Sequence, residues 1–272
     1  MPIKVRRTPK RNSSDDPEEF RATLAEHLDE LRTRIMRSLM AVVGGWVVGW
    51  YVEPLVYEHL SNLVESSFRK SLSAETEFKE VFLNATDAFM LKLKLSFMIG
   101  LILALPVVTL QFWGFVKPGL KQAEQKPLKI VAPISVFLFL LGSFFCWLIL
   151  PAAFQWFVSF VQDFPGAALH QQVGTMVFFV LKMLLAFGVG FQLPLVVFVL
   201  GKLGIIGPDT LIQYWRQATV GIFFASAILT PSQDIFSMMM MAVPLTLLFM
   251  LSVVAVRVTS REPHPPELDD LD

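Results

Sequence analysis

"EHLDELRTRIMRSLMAVVGGWVVGWYV", residues 26–52, sets a charged amphipathic helix directly against an apolar run. Leu24, Leu28, Leu31 and Ile35 recur at i, i+4, i+7 and i+11 and form one narrow apolar stripe. Glu26, Glu30 and Arg34 fall on the opposite side, and Glu30 with Arg34 makes a supportive i,i+4 pair. Taken alone, this helix reads as interfacial, its stripe in the headgroups and its charges solvated. The stretch that follows, 36–52, is apolar enough to enter a bilayer.

The rest of the chain repeats that signal. Of 272 residues, 54% are hydrophobic and 17% charged, where a soluble domain carries about 25% charged. Six candidate spans emerge, near 36–52, 88–114, 130–158, 174–200, 214–229 and 235–256. The fifth is short: its apolar part, between Gln217 and Pro231, covers about 21 Å of a roughly 30 Å hydrocarbon core. Prolines at 106, 133, 151, 194, 231 and 244 bend or break the helices. The expected architecture is an all-α polytopic membrane protein of six transmembrane helices, bent and with two short spans, forming a concave bundle. Residues 21–257 would form the membrane domain, flanked by disordered polar tails at 1–20 and 258–272. The segment 53–87 is too long for a simple connector. Val56, Leu60 and Leu63 suggest a short surface helix within it.

Charge distribution orients the chain. Lys and Arg concentrate before the first span, in the loop 117–129, at Lys202 and Arg216, and at Arg257 and Arg261. The positive-inside rule then places both termini in the cytoplasm of a cell (inner) membrane. Arg6-Arg7 is not followed closely by an apolar segment, so it reads as a basic tail rather than a signal peptide.

Several functions are disfavoured. Net charge is zero, which argues against a nucleic-acid partner. A single cysteine and four scattered histidines supply no disulfide and no metal-ligand spacing. No Ser/His/Asp set, paired membrane aspartates or nucleotide loop is present, so no catalytic residue, cofactor or enzymatic activity is expected. The main polar intrusions are Lys182, near the external end of span four, and Gln192, deeper in "AFGVGFQLP". Lys182 is placed to snorkel. Gln192 must face other helices or a polar cavity, which leaves helix glue and a functional role equally open. Phe112, Trp113 and Phe115 sit at the cytoplasmic end of span two, where aromatics ordinarily anchor. Pro118-Gly119 breaks the helix there, and Glu124 is the sole acid of the loop.

Four motifs taken together resemble one family. "HLDELRTRI" (27–35), "LALPVVTLQFWGFVKPGL" (103–120), "AFGVGFQLPL" (186–195) and "LTPSQDIFS" (229–237) resemble, in order, segments of TatC, the multi-spanning subunit of the twin-arginine protein translocase. The resemblance implies a receptor for twin-arginine signal peptides of folded cargo proteins, driven by the proton-motive force. It implies single-span TatA- and TatB-like partners, homo- and hetero-oligomers, and no covalent catalysis. The arginine pair would be read by positions matching Glu30, Phe115 and Glu124. Glu26, Arg32, Arg34, Pro118, Gln192 and Asp234 match supporting or partner-contact positions. Gln192 stands where family members commonly carry Glu, so a hydrogen-bonding role is implied there rather than a proton relay. The competing class is a small-solute or proton-coupled secondary transporter. It calls for paired repeats and a charged site at mid-membrane, and the sequence shows no internal repeat.

Overall fold

The computed structural model describes residues 17–70, 78–116, 125–164, 169–202, 205–230 and 234–259. Helices run over Pro17–Arg69 (α1), Asp87–Val116 (α2), Gln125–Ser159 (α3), Thr175–Gly190 (α4), Leu193–Lys202 (α5), Pro208–Gln213 (α6), Trp215–Leu229 (α7) and Ile235–Thr259 (α8). Two short strands, Phe78–Val81 (β1) and Leu169–Gln172 (β2), pair in parallel, Phe78 opposite Leu169 and Val81 opposite Gln172. The all-α polytopic class holds.

The span count differs from six. Among the described residues, five helical stretches are long and apolar enough to cross a membrane, with α4 and α5 together making one of them. The expected span missing from that set is the fifth, which corresponds to α7, whose 15 residues reach about 22 Å. It is the one short span among the described residues, where two were expected.

Helix α1 is the largest departure from expectation. It runs unbroken for 53 residues, about 80 Å, so the short surface helix expected around Val56, Leu60 and Leu63 is instead the continuation of α1, with Leu60 buried. Pro54 removes one backbone donor but does not end the helix. Beyond it, Leu60, Val64 and Phe68 keep a buried stripe in the core formed with α3 and α4. The Phe68 and Phe154 rings meet edge to face at 5.7 Å. That burial offsets the lost bond. Helix α1 starts at Pro17, and residues 1–16, most of the expected N-terminal tail, lie outside the described residues.

Small residues let α1 and α2 cross closely. A Cβ on Gly45 would collide with the carbonyl of Gly100, and one on Gly49 with the carbonyl of Ser96. Two small-xxx-small faces therefore meet backbone to backbone, a packing that apolar side chains cannot drive by hydrophobicity within lipid. The indole of Trp46 donates to Ser96 Oγ at 3.2 Å and helps fix the crossing. The most hydropathic window of α1 is only 6% buried, against 50% for the α4–α5 stretch. Helix α1 is thus peripheral and α4–α5 central.

One end of the bundle is closed by the strand pair. The Tyr57 hydroxyl donates to Glu80 Oε2 at 3.1 Å, tying α1 to β1. Asp87, at the start of α2, accepts from the backbone N–H groups of Leu83 and Asn84 and from Gln172 Nε2. Gly174 follows with φ 73°, and a Cβ there would strike the Leu91 methyl groups. Glycine is required at that turn.

The central stretch breaks between α4 and α5 at Phe191-Gln192. Pro194 supplies no N–H to the preceding turn, so the ladder is interrupted where "GFQLP" predicts it.

Candidate functional site

The opposite end of the bundle carries the sequence motif that opens α1. The carboxylate of Glu30 accepts from Arg34 twice, Nε at 3.0 Å and Nη2 at 2.5 Å, both onto Oε1. The other oxygen, Oε2, lies 3.7 Å from Nδ1 of His27. These three side chains recur at i−3, i and i+4, so one helical face presents them all. That face turns towards the last turn of α2. The His27 ring stacks on Phe115 with centroids 4.5 Å apart and planes 13° from parallel. The guanidinium of Arg34 lies against Gly114, where a Cβ would collide with Nη1. Glu30 and Arg34 are half-buried, with side chains 31% and 23% exposed. Leu28 and Ile35 are exposed. Leu28 and Ile35 therefore point away from the protein, Leu31 is half-buried, and Glu30 and Arg34 point towards α2.

Of the residues expected to read an arginine pair, Glu30 and Phe115 converge, linked through His27 and Arg34. Glu124 and Pro118 lie outside the described residues, Glu124 one position before α3 begins. Glu26 and Arg32 are exposed. Asp234 precedes α8, and its Oδ1 accepts from the Ser237 N–H at 2.7 Å, the geometry of a helix N-cap.

Gln192 is engaged in full view of the helix break. Its Oε1 accepts from the Ser135 hydroxyl at 2.5 Å and its Nε2 donates to the Ser135 carbonyl at 2.9 Å. The same hydroxyl accepts from the indole of Trp113 at 3.0 Å. Three elements, α2, α3 and the α4–α5 break, are thereby fastened at one buried serine. The amide thus hydrogen-bonds between helices.

Three features of the site escaped that reasoning. His27 was one of four scattered histidines, although its spacing from Glu30 puts it on the same face. Trp113 read as an interfacial anchor, yet it is buried and hydrogen-bonded. Gly114 carries no chemistry of its own, and only its contact with Arg34 reveals its part.

Comparison with known proteins agrees with this architecture. The family described as Sec-independent protein translocase protein (TatC) matches residues 26–244. A TatC of Carboxydothermus hydrogenoformans is 36% identical over 235 residues, covering 85% of this chain and 91% of that protein. One from Aquifex aeolicus is 31% identical over 240 residues, covering 88% and 96%. A crystal structure described as the twin arginine translocase receptor TatC superposes with a TM-score of 0.73 at 32% identity, covering 86% of this chain and all of that one. Matching sequence, helices and extent together, the chain belongs to the TatC family and is a multi-pass membrane component of a Sec-independent protein translocase.

Proposed function

We propose that this protein is the receptor core of its translocase, binding twin-arginine signal peptides at the cytoplasmic face through Glu30, Phe115 and Glu124. The observation that carries the reading is the seat Glu30 already gives to a guanidinium. A half-buried carboxylate grips Arg34 over a glycine floor and beside an aromatic stack. A charge-assisted bond contributes roughly 1.5–3 kcal/mol when shielded and about 0–1 kcal/mol when fully exposed. Partial shelter is therefore what makes such a seat useful.

In this reading Arg34 occupies the seat while no peptide is bound. An incoming arginine exchanges with it, so one guanidinium replaces another and Glu30 is never left unpaired. The second arginine of the pair goes to Glu124. Lys cannot substitute, because an ammonium does not offer the planar fork of donors. The end bearing Glu30 faces the cytoplasm, where the basic loops accumulate, and both termini lie there. Single-span TatA- and TatB-like subunits assemble on the bundle, and the proton-motive force drives transport. Gln192, held by Ser135, serves the shape of the bundle rather than a proton relay.

Photocrosslinking a twin-arginine signal peptide to membranes containing this protein tests the receptor role. Label should fall near Glu30 and Phe115, decline with a Lys-Lys signal, and decline again in Glu30→Gln and Glu124→Gln. Labelling indifferent to all three changes refutes the assignment.

A further inference from the structure

At the strand-capped end of the bundle, a cavity of about 280 Å³ opens between the first turns of α2 and α4. Lys94 and Lys182 both line it. Each lies two turns into its helix, about 10 Å from the helix start. Among the described residues neither forms an ion pair. The carboxylate that lines the same cavity, Asp87, already accepts from Leu83, Asn84 and Gln172. The Lys182 ammonium lies 4.5 Å over the ring of Phe178, one turn nearer the helix start. It is thereby drawn towards the surface rather than into lipid. Lys92 turns elsewhere, over Trp50 at 5.1 Å. Met90, Leu91 and Phe179 supply apolar wall.

Two ammonium groups without carboxylate partners among the described residues, two turns from the strand-capped ends of their helices and above an apolar wall, suit one occupant in particular. We infer that this cavity binds the phosphate of an anionic glycerophospholipid from the leaflet on the strand-capped side. The phosphate oxygens accept from both lysines, and the glycerol and first acyl carbons lie along Met90, Leu91 and Phe179. A headgroup of net charge −1 leaves the lysines no competing cation, whereas a choline headgroup brings one. The site is at the opposite end from Glu30, so it stands or falls apart from the receptor reading.

Native mass spectrometry of the full chain, titrated in mixed micelles with phosphatidylglycerol or phosphatidylcholine, tests it. Phosphatidylglycerol should be retained at about tenfold lower concentration than phosphatidylcholine, a factor equal to about 1.4 kcal/mol. The double variant Lys94→Gln/Lys182→Gln should lose that preference. Lys94→Arg/Lys182→Arg should keep it, as should Lys202→Gln at the far end of α5. An unchanged preference in the double glutamine variant overturns the inference. So does inorganic phosphate displacing the lipid at equal concentration, since a free anion would then be the ligand. If the glutamine variant does not fold, photoactivatable phosphatidylglycerol on the native chain decides. Label within 87–94 and 172–182 supports the site, and label confined elsewhere refutes it.

Discussion

The imidazole of His27 lies flat on the ring of Phe115, 4.5 Å away and 13° from parallel. This stack pins the start of α1 to the end of α2, three residues from the Glu30 carboxylate. Aromatic pairs of this kind contribute about 0.5–1.5 kcal/mol beyond their buried area. His27→Ala should weaken binding of a twin-arginine peptide by about two- to tenfold, while His27→Phe retains most of it. Fluorescence anisotropy with a labelled peptide and detergent-solubilised protein gives both values. Wild-type affinity in His27→Ala would mean that the stack does not shape the seat.

Arg34 competes with the incoming arginine if the exchange described above operates. The pair it makes with Glu30 is about one-third exposed or less, so its worth falls where the exposed and shielded ranges meet, about 1 kcal/mol. Arg34→Gln should therefore tighten the same peptide, by up to about fivefold. Arg34→Lys should lie between the two, because its ammonium still pairs with Glu30 but holds it less well. Weaker binding by Arg34→Gln would show that Arg34 braces the seat instead of occupying it.

The spans were legible because a bilayer demands a minimum apolar length, and that demand is written directly in composition. The Glu30 face was legible as helix periodicity, and its pairing with Arg34 followed from spacing alone. Where the chain used long-range geometry, the reading failed. The first apolar run ended near residue 52, but the buried stripe of Leu60, Val64 and Phe68 carries α1 on past Pro54 to Arg69. The strand "LHQQ" at 169–172 has neither β-branched residues nor clean alternation, and its partner lies some ninety residues earlier. Lys92 and Lys94 vanished into the apolar average of span two, although they set the charge of its first turns. The spacing of His27 from Glu30 is local, but its stack on Phe115 is a contact that no local pattern encodes.

The α1–α2 crossing depends on Gly45 and Gly49 in a way that neighbouring Gly44 does not. A Cβ at Gly44 meets nothing within 4 Å, whereas at Gly45 or Gly49 it meets the backbone of α2. Backbone cannot rotate aside as a side chain does, so the cost should exceed the about 1–3 kcal/mol of ordinary overpacking. Gly45→Val and Gly49→Val should lower the thermal midpoint of the detergent-solubilised protein by many degrees and expose α1 to proteolysis. Gly44→Val should do neither. Equal behaviour of the three variants would remove the close crossing as an explanation for these glycines.

Gln192 and Trp113 act through one atom, the Ser135 hydroxyl, and their effects should not add. Trp113→Phe removes a neutral hydrogen bond and should cost about 1 kcal/mol. Gln192→Leu strips the hydroxyl of its acceptor and the Ser135 carbonyl of a donor, and should cost about 1–3 kcal/mol. Once the serine has lost one partner its hydroxyl is free to rotate, so losing the second should cost less. Unfolding of the two single variants and the double variant, measured as a double-mutant cycle, should give a coupling of at least about 0.5 kcal/mol. Ser135→Ala should abolish that coupling, because the shared atom is gone. Strict additivity in the serine background would mean that α2 and the α4–α5 break are held independently, and that Gln192 contributes to the bundle by some route other than this serine.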